Sequence, residues 1–276
     1  MNAETANTVV IVTGGAGGLG GAMTLGLAKA GHRVAALELA SRQPAIDELK
    51  QRAQATGLQD RIAVIACDVT KFDDCTAAVQ KTVDLFGGVH GLVNNAAIGM
   101  QDFGPVQVGT RPKFYEADAA AWCRAIMTNL CGPFQMTKAV APILVKQGWG
   151  RVVNVTTSHF TMVMQGFSPY GPSKAGLEAA TVIWAQDLAG TGVTINVLVP
   201  GGPANTRMIP QAEISDRTTL IQPEIMVTPV TWLMSRASDG VTSRRIVAKA
   251  WDPKVARDNP TQVGAPAGWT ESKGAA

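Results

Sequence analysis

Tyr170 and Lys174 are the residues whose types and spacing most clearly suggest chemistry. They lie four residues apart in the segment SPYGPSK, and the other tyrosine, Tyr115, has no lysine at that distance. Residues four apart share one helix face, so the lysine cation would favour the phenolate and lower a tyrosine pKa that is ordinarily near ~10. Ser168 and Pro169 are typical of an N-cap and a first helical residue, which would place Tyr170 at the positive end of the helix dipole. The pattern predicts a tyrosine that exchanges a proton with an alcohol or a ketone during hydride transfer; an ordinary surface pair is the alternative.

A glycine-rich stretch near the N-terminus predicts a phosphate-binding turn. Residues 8–20 read TVVIVTGGAGGLG, a β-branched run followed at once by glycines. The run is typical of a buried strand, the glycines let backbone amides approach a ligand closely, and the next helix directs its positive end at the same point. A plain glycine-rich turn is the alternative. The predicted phosphate-contacting residues are Gly14, Gly17, Gly18, Leu19 and Gly20.

Glu38 indicates which dinucleotide this turn would bind. It lies 24 residues after Gly14, at the end of the predicted second strand. An acidic side chain at about this distance is placed to bind a ribose 2′-hydroxyl, and it would repel the 2′-phosphate of NADP. Arg42 lies nearby and could accept such a phosphate, but the glycine stretch itself contains no basic residue. We therefore expect NAD(H) as the cofactor.

The elements that position these residues are predicted by the hydrophobic pattern. After the first strand, apolar β-branched runs alternate with segments of helical periodicity. This alternation is typical of parallel βαβ units, and so of an α/β Rossmann-type fold: a doubly wound parallel sheet of about seven strands with helices on both faces. The further predicted strands are 33–39, 61–67, 90–96, 151–156, 193–199 and 246–248, and the further predicted helices are 44–56, 71–86, 117–147, 169–189 and 224–238.

Two segments without regular pattern follow predicted strands, namely residues 98–116 and 201–223. We expect both to be loops over the carboxyl edge of the sheet, where ligands bind in folds of this class. Residues 1–252 are predicted to form a single dinucleotide-binding and catalytic domain. The remaining residues, 253–276, are rich in proline and glycine and are predicted to form an irregular tail.

Composition and charge narrow the class of protein. The 276 residues include 24 basic and 21 acidic side chains with no basic block, so no nucleic-acid partner is expected. No apolar run approaches the roughly 20 residues that cross a bilayer, and the polar N-terminus has no signal-peptide core. The four cysteines and three histidines show no metal-ligand spacing, so no metal is expected and the cysteines are interpreted as reduced thiols. These features predict a cytoplasmic protein.

Taken together, the motifs resemble those of the short-chain dehydrogenase/reductase (SDR) family over about residues 8–250. In chain order they are Thr13-Gly14-xxx-Gly18-x-Gly20, Asp68-Val69, Asn94-Asn95-Ala96-Ala97, Asn129 and Tyr170-xxx-Lys174. The resemblance implies a nicotinamide cofactor, a catalytic tyrosine with a lysine that also binds the ribose, and usually a dimer or a tetramer. It also implies cofactor contacts at Asp68 and Val69 near the adenine, at Asn94 and Ala96 in the cleft, and at Pro200 and Gly201 near the nicotinamide.

The resemblance implies two further catalytic residues. Asn129, in TNLCGPF, stands where the family has an asparagine that kinks its helix and holds a water linking the lysine to solvent; a satisfied core asparagine is the alternative. The family's substrate-binding serine, 13 residues before the tyrosine, is Thr157 in this chain. A threonine hydroxyl can donate the same hydrogen bond, although its methyl group narrows the pocket. Ser158, one residue along, is the alternative.

The sequence departs from the family pattern elsewhere. Ala97 replaces a glycine, the 98–116 loop is longer than usual, and the C-terminal Asp-Gly-Gly is replaced by AKAWDPKV. After Pro200-Gly201 the family reaches a threonine that binds the carboxamide of the cofactor. One extra residue in this chain leaves either Thr206 or Asn205 for that role, and the two stay open at this point.

The predicted substrate pocket lies after the fifth and sixth strands. Its polar residues are Thr157, Ser158, His159, Gln165 and Tyr170, and its apolar residues are Phe160, Met162, Met164, Phe167, Met208 and Ile209. We interpret the chain as an NAD(H)-dependent oxidoreductase that interconverts a small-molecule secondary alcohol and a ketone. A 3-hydroxyacyl thioester dehydrogenase or 3-oxoacyl reductase is one alternative, and a non-catalytic NAD(H)-binding regulatory protein is another. The helix AGLEAATVIWAQDLA is apolar nearly all round, which favours a homo-oligomer, a tetramer by resemblance.

Overall fold

Strands and helices alternate along the chain in the computed structural model, which describes residues 8–102, 113–209, 214 and 216–269. The strands are β1 (Val9–Thr13), β2 (Arg33–Glu38), β3 (Ile62–Ala66), β4 (Gly91–Asn94), β5 (Gly150–Val155), β6 (Val193–Val199), β7 (Arg244–Val247) and β8 (Ala265–Pro266). The α-helices are α1 (Gly18–Lys29), α2 (Gln43–Ala55), α3 (Phe72–Phe86), α4 (Ala119–Ile126), α5 (Gly132–Lys146), α6 (His159–Met162), α7 (Tyr170–Asp187), α8 (Val227–Leu233) and α9 (Pro253–Asp258). The alternation confirms the predicted α/β class.

The strands form one eight-stranded sheet in the order β3-β2-β1-β4-β5-β6-β7-β8. The pairings from β3 through to β7 are parallel, and β8 joins β7 antiparallel. The chain winds outward from β1 in both directions, so β1 and β4 border the point at which the winding reverses. In such sheets a crevice opens beyond the carboxyl ends of these two strands.

Both faces of the sheet are covered by helices, as predicted. On one face, Val10 and Val12 of β1 pack in a buried cluster with residues of α1 and α8. On the other face, Ile11 packs in a second buried cluster with residues of α3 and α5. Since alternate side chains of a strand point to opposite faces, a run of consecutive apolar residues is what a strand buried on both faces requires. The doubly wound Rossmann-type fold is confirmed.

The long predicted helix 117–147 is two α-helices, α4 and α5, joined by a π-helical turn at Met127–Cys131. The π-helical turn ends at Cys131, directly before the Gly132-Pro133 pair that begins α5. The two predicted loops lie partly outside the described residues, at 103–112, 210–213 and 215. Among the helices that the structure describes, none has the length and hydrophobicity needed to cross a membrane.

The prediction of an irregular segment from residue 253 is wrong for much of its length. It contains α9 and β8, and the prediction for residues 270–276 lies outside the described range. Ala256 and Val263 are buried in the core, and the Arg244 guanidinium donates to the carbonyl oxygens of Val263, at 3.0 Å, and Gly264. The edge of β7 offers unpaired peptide groups, and β8 pairs with them. A two-residue strand is too short to show a hydrophobic period.

Candidate active site

The glycine-rich turn lies at the carboxyl end of β1, at the crevice. Gly14 and Gly18 have φ of 59° and 53°, a left-handed conformation that favours glycine. A Cβ on Gly20 would overlap the carbonyl oxygen of Gly14 and would lie 2.6 Å from Nδ2 of Asn95. The glycines are therefore required by the turn itself, and α1 begins within it at Gly18, with its free amides at the crevice.

Thr13 and Asn95 fasten this turn to the end of β4. The Thr13 hydroxyl accepts hydrogen bonds from the amides of Asn95 and Ala96, both at 3.0 Å. The Asn95 side-chain amide donates to the carbonyl oxygens of Thr13 and Gly14, at 3.0 and 3.1 Å. Neither side chain was among the predicted site residues. Both occur in the quoted motifs, but their partners lie on a different strand, which spacing alone does not reveal.

The glycine turn and the residues around it form a cradle whose shape fits a dinucleotide. A Cβ at Gly17 would have one neighbour, Ala45 Cβ at 3.6 Å, so the backbone there is open on the side of the ligand. The Thr206 side chain borders the cradle at Gly18, where a Cβ would lie 3.1 Å from Cγ2 of Thr206. The half-buried Glu38 carboxylate stands beside the turn and accepts the amides of Ala16, at 3.4 Å, and of its neighbour in the chain, at 3.1 Å. Glu38 and the glycine turn therefore lie side by side at the crevice.

The two residues predicted near the adenine differ in side-chain exposure. Asp68 is partly exposed two residues beyond the end of β3, and its Oδ1 accepts the amide and hydroxyl of Thr70 at 3.0 and 2.7 Å. Val69 is buried, and a Cβ on Gly132 would lie 2.8 Å from its Cγ2. The Val69 side chain therefore packs toward α5, and only its backbone could contact a ligand. The Leu19 side chain, predicted at the phosphates, is partly buried against the core.

Asn94 is not placed in the cleft as the resemblance implied. Its side chain is buried, and its Nδ2 donates to the hydroxyl of Thr137 at 3.1 Å and to Oδ1 of Asn154 at 2.8 Å. It thus ties β4 to β5 and α5 inside the core. Ala96, two residues further, does border the crevice, since a Cβ on Gly14 would lie 3.0 Å from its Cα. Asn94 is the last residue of β4, inside the sheet, whereas Ala96 lies beyond the end of the strand, which accounts for the difference.

At the predicted nicotinamide end, the two open alternatives, Asn205 and Thr206, have different partners. The Asn205 side chain bonds to Gln222 at 2.9 Å and to Arg217 at 2.7 Å. Thr206 instead lies over the glycine turn. Pro200 accepts the amide of Lys249 at 3.1 Å, and Gly201 has φ of 97° where a Cβ would lie 2.6 Å from Lys249 Cβ. These contacts hold the chain close to the strand ends.

Tyr170 is the first residue of α7, next to Thr157 beyond the end of β5. The Thr157 hydroxyl lies near that of Tyr170, close enough to favour the phenolate and lower the tyrosine pKa. The predicted capping role of Ser168 is wrong: Pro169 is the N-cap, without a side-chain hydrogen bond, and Ser168 accepts instead from Nε1 of Trp122 at 2.9 Å. Tyr170 nevertheless lies in the first helical turn, as expected.

The pKa of Tyr170 moves opposite to the expected direction. Burial raises the pKa to about 12, since the phenolate loses hydration, and the hydrogen bond from Thr157 partly counteracts this. Burial also lowers the pKa of Lys174 to about 8. The expectation considered the attraction between the two charges and left out the cost of burying each of them.

Lys174 lies on the same face of α7 as Tyr170 and is almost completely buried. Its ammonium donates to the carbonyl oxygen of Val155, the last residue of β5, at 2.9 Å. The lysine head is thus held at the carboxyl edge of the sheet, between the helix and the strand that precedes Thr157. This is where the four-residue spacing placed it.

Asn129 lies in the π-helical turn and is fully buried. Its Oδ1 accepts the amide of Ile98 at 2.9 Å, and its Nδ2 donates to the Ile98 carbonyl at 3.0 Å and to the Ser173 hydroxyl at 3.1 Å. That hydroxyl donates to the Tyr170 carbonyl at 2.7 Å. Asn129 therefore links the loop after β4 to the first turn of α7, and the irregular turn lets its side chain reach both.

Two of the predicted substrate residues are engaged elsewhere. Ser158 caps α6, and its Oγ accepts the amide of Thr161 at 3.0 Å. Nε2 of His159 bonds to Glu178 at 3.0 Å, and its ring stacks on Trp269 at 5.6 Å between centroids. Between Thr157 and Ser158, the structure brings only Thr157 to the Tyr170 hydroxyl. Gln165 is exposed in the connection between α6 and α7.

The apolar cover of the crevice comes from the two loops that were predicted to form it. Met208, after β6, contacts Gly99, after β4, closely enough that a Cβ there would overlap the methionine side chain. The Phe167 ring lies 6.4 Å from that of Tyr170. Met162 is buried, whereas Phe160 is exposed. The predicted apolar lining therefore divides into core residues and residues at the crevice.

The chain matches known proteins over most of its length. Residues 8–216 match the family model described as short chain dehydrogenase. Nodulation protein G of Azospirillum brasilense is 38% identical over 194 residues, 70% of this chain and 73% of that protein. An acetoacetyl-CoA reductase of Allochromatium vinosum is 34% identical over 194 residues, 70% of this chain and 74% of that protein. The crystal structure of an Agrobacterium tumefaciens protein provisionally assigned as a gluconate dehydrogenase has a TM-score of 0.73 at 27% identity, covering 87% of this chain and 93% of that one.

Proposed function

This chain belongs to the short chain dehydrogenase family, and on that premise we propose that it interconverts a secondary alcohol and a ketone with NAD(H), using Tyr170 as the acid and base. The observation that carries the proposal is the placement of Tyr170 at the start of α7, near Thr157 just beyond the end of β5, with the Lys174 ammonium held on Val155 at the same edge of the sheet. Hydride transfer to or from a carbon needs a partner that takes or gives the proton on oxygen. Two neighbouring hydroxyls can both hydrogen bond to one substrate oxygen.

Each of these residues has a distinct task in the proposed reaction. Thr157 donates a hydrogen bond to the substrate oxygen and fixes its position. Tyr170 takes the hydroxyl proton during oxidation and returns it during reduction. Lys174, held by Val155, adds positive charge behind the phenolate. Bound in the cradle of the glycine turn, a nicotinamide cofactor would supply the hydride acceptor or donor.

Asn129 completes the proposed site by holding the first turn of α7. Its hydrogen bond to Ser173, which in turn bonds to the Tyr170 carbonyl, fixes the start of the helix against the loop after β4. The water relay from Lys174 to solvent stays a proposal. An Asn129→Asp variant with full activity would contradict the holding role of Asn129, because an ionised carboxylate cannot donate to Ser173 as the amide does.

A substrate scan tests the reaction. Purified protein is assayed with NAD and NADH against secondary alcohols, simple ketones and short acyl thioesters, by absorbance of the reduced cofactor. Turnover that disappears in Tyr170→Phe supports the proposal. Tight NADH binding without turnover on the whole panel would favour the regulatory alternative instead.

A 3-oxoacyl thioester reductase is the second candidate function. The acetoacetyl-CoA reductase of Allochromatium vinosum, at 34% identity, supports it. In the substrate scan this activity would show as a kcat/KM for acetoacetyl-CoA at least ~100-fold above that for a ketone without the thioester, because remote binding energy raises transition-state binding. Equal values for the two would favour a small alcohol or ketone.

Glu38→Ala is expected to change the cofactor preference. The variant removes the carboxylate that stands at the end of β2 beside the amide of Ala16. NADH binding should weaken about tenfold, which is ~1.4 kcal/mol, and NADPH binding should strengthen as the repulsion disappears and Arg42 is left. Fluorescence titration of both cofactors measures this. The control is Glu48→Ala, which removes an exposed carboxylate on α2 and should change the binding of neither cofactor. A wild-type protein that prefers NADPH would contradict the assignment of NAD(H).

The pH dependence of the two directions should differ. Oxidation needs the Tyr170 phenolate, whose fraction grows with pH below a pKa of about 12. We therefore expect kcat/KM for the alcohol to rise from pH 7 to 9, less steeply above pH 8, where Lys174, with a pKa of about 8, loses its charge. Reduction needs the protonated phenol. Tyr170 is almost fully protonated over this range, so kcat/KM for the ketone should not rise. A Tyr115→Phe control should keep both profiles, and an oxidation rate that falls with pH would exclude Tyr170 as the base.

We propose that the protein is a homo-oligomer. An apolar patch of Phe134, Ile183 and Trp184 lies on neighbouring helices, with Phe134 and Ile183 about half exposed at 48% and 56%. Exposed apolar patches on helices often mark interfaces. Ile183→Asp should lower the mass measured by analytical ultracentrifugation at about 10 μM, since a buried unpaired charge is unfavourable. Val163→Asp, at an exposed residue on a different segment, is the control; a monomeric wild type would refute the proposal.

A cytoplasmic location is also proposed. Cys67, Cys75, Cys123 and Cys131 are all free thiols in the structure. Unpaired cysteines are typical of proteins that work in a reducing compartment. Localisation of a tagged full chain by fractionation of its cells would test this directly.

A further inference from the structure

Glu178 is a buried carboxylate in the otherwise apolar middle of α7. It lies four residues after Lys174, on the same side of the helix, and has no exposed surface. Its Oε2 forms an ion pair with the Arg245 guanidinium and accepts the hydroxyl of Thr156 at 3.2 Å. Its Oε1 bonds to His159 at 3.0 Å and accepts the amide of Gly268 at 3.3 Å. A buried carboxylate with this many partners is held in one position.

Arg245, on β7, is the ion-pair partner of this carboxylate. It is 7% exposed, and one of its terminal nitrogens donates to the carbonyl oxygen of Thr157 at 2.6 Å. The other terminal nitrogen pairs with Glu178. The planar guanidinium therefore spans the carboxylate on α7 and the backbone of Thr157, a geometry that its fixed fork of donors suits.

The Thr157 backbone needs such a partner because β5 has already ended. The amide of Thr156 still bonds to the Leu198 carbonyl of β6 at 3.2 Å, but Thr157 lies beyond the strand pairing. Arg245 takes the place of the next strand bond. Fixing the Thr157 carbonyl fixes the direction of its side chain, and χ1 of a β-branched residue is stiff.

We propose that Glu178 and Arg245 are positioning residues that hold the Thr157 hydroxyl toward Tyr170, an inference that rests on the proposed function. Neither residue contacts the Tyr170 hydroxyl, and Arg245 lies beyond the residues that match the family model. The buried ion pair costs desolvation that an apolar pair of similar size would avoid. In return, the Arg245 guanidinium donates a hydrogen bond to the carbonyl oxygen of Thr157, which an apolar pair cannot do.

The test replaces both charges together. A single Arg245→Met variant would leave the Glu178 charge buried and unpaired and would unfold the protein, whereas the double variant Glu178→Met/Arg245→Met removes both charges. With the double variant we expect the midpoint of thermal unfolding to stay within a few degrees and the NADH Kd within about twofold. We expect kcat to fall about tenfold or more, as misplacement of a reacting group does. Arg245→Lys, which keeps the charge but lacks the fork, should also lower kcat.

Arg244→Met is the matched control. Arg244 precedes Arg245 on the same strand, and its guanidinium donates to carbonyls of Val263 and Gly264 instead of Thr157. It should therefore keep kcat within about twofold while loosening the same part of the C-terminal segment. An equal loss of kcat in Arg244→Met and in the double variant would overturn the positioning role, because it would make the effect one of general loosening.

A double-mutant cycle shows whether the pair acts through Thr157. In a Thr157→Val background, where the hydroxyl is already absent, the double substitution should lower kcat by less than about twofold. A full tenfold further loss would overturn the proposal.

A measurement without turnover separates this inference from the proposed function. The Thr157 methyl resonance in a threonine-methyl-labelled protein, assigned by its loss in Thr157→Ser, should shift in the double variant and stay in place in Arg244→Met. An unmoved resonance in the double variant overturns the positioning role. Absence of turnover in the wild type contradicts the proposed function alone, and the resonance still tests the positioning.

Discussion

Tyr170→Phe is expected to lower kcat by about 10³-fold, within the range that general acid–base catalysis contributes, while the Kd for NADH changes less than about threefold. The substitution removes the hydroxyl that lies near that of Thr157 and leaves the ring, whose centroid is 6.4 Å from that of Phe167. The proton of the substrate then has no acceptor in oxidation and no donor in reduction. Since the cradle for the cofactor lies beyond the ends of β1 and β4, its shape does not depend on this hydroxyl.

The measurement is a steady-state assay in both directions with the best substrate of the scan, together with an NADH fluorescence titration. Tyr115→Phe is the matched control: it removes the other tyrosine hydroxyl of the chain, on a residue that is 64% exposed, and should keep full activity. A Tyr170→Phe variant that retains more than about a tenth of the wild-type kcat would exclude Tyr170 as the proton carrier. Thr157 or a bound water would then have to carry the proton.

Gly20→Ala is expected to abolish most cofactor binding and to destabilise the fold. A methyl group at this position would overlap the Gly14 carbonyl oxygen and crowd Nδ2 of Asn95, 2.6 Å away. Because both belong to the fastening between the glycine turn and β4, the turn must move for the methyl group to fit. Overpacking of this kind costs about 1–3 kcal/mol, so the free energy of unfolding should fall by that amount and NADH binding should weaken by ~30-fold.

Gly17→Ala is the matched control within the same turn. A Cβ there has one neighbour, at 3.6 Å, and the φ of Gly17 is −136°, which any residue adopts. Its unfolding midpoint in denaturant should equal that of the wild type. Equal stability of the Gly20→Ala and wild-type proteins would contradict the close packing between Gly20 and Gly14 on which the prediction depends.

The sheet and its helices were predictable because they depend on local periodicity. The run Val9–Val12 predicts a strand buried on both faces, and the structure buries it on both. The same pattern could not predict β8, which exists because the edge of β7 offers free peptide groups to a chain passing beside it. The π-helical turn around Asn129 was implied as a kink by the family resemblance and not by periodicity, since the side-chain partners of Asn129, Ile98 and Ser173, lie at least 31 residues away.

The candidate site likewise has features that local spacing predicts and features that depend on distant contacts. The spacing of Tyr170 and Lys174 predicts a shared helix face, and the structure places both at the edge of the sheet. Glu178 was overlooked because a helix with few charges among many apolar residues is classed as apolar overall. The available signal was the Glu178 charge itself: a carboxylate in a buried helix requires a partner, and the basic residue Arg245 directly precedes the predicted strand 246–248.

The fold class, the glycine turn and the order of the motifs follow from the amino-acid sequence alone, because they depend on residues that are close together in the chain. Tertiary structure decided which hydroxyl meets Tyr170, where Asn94 and His159 point, and that burial raises the pKa of the tyrosine to about 12. Those outcomes depend on contacts between strands and helices far apart in the chain, and on how much water is excluded when they pack. Spacing along the chain specifies neither quantity.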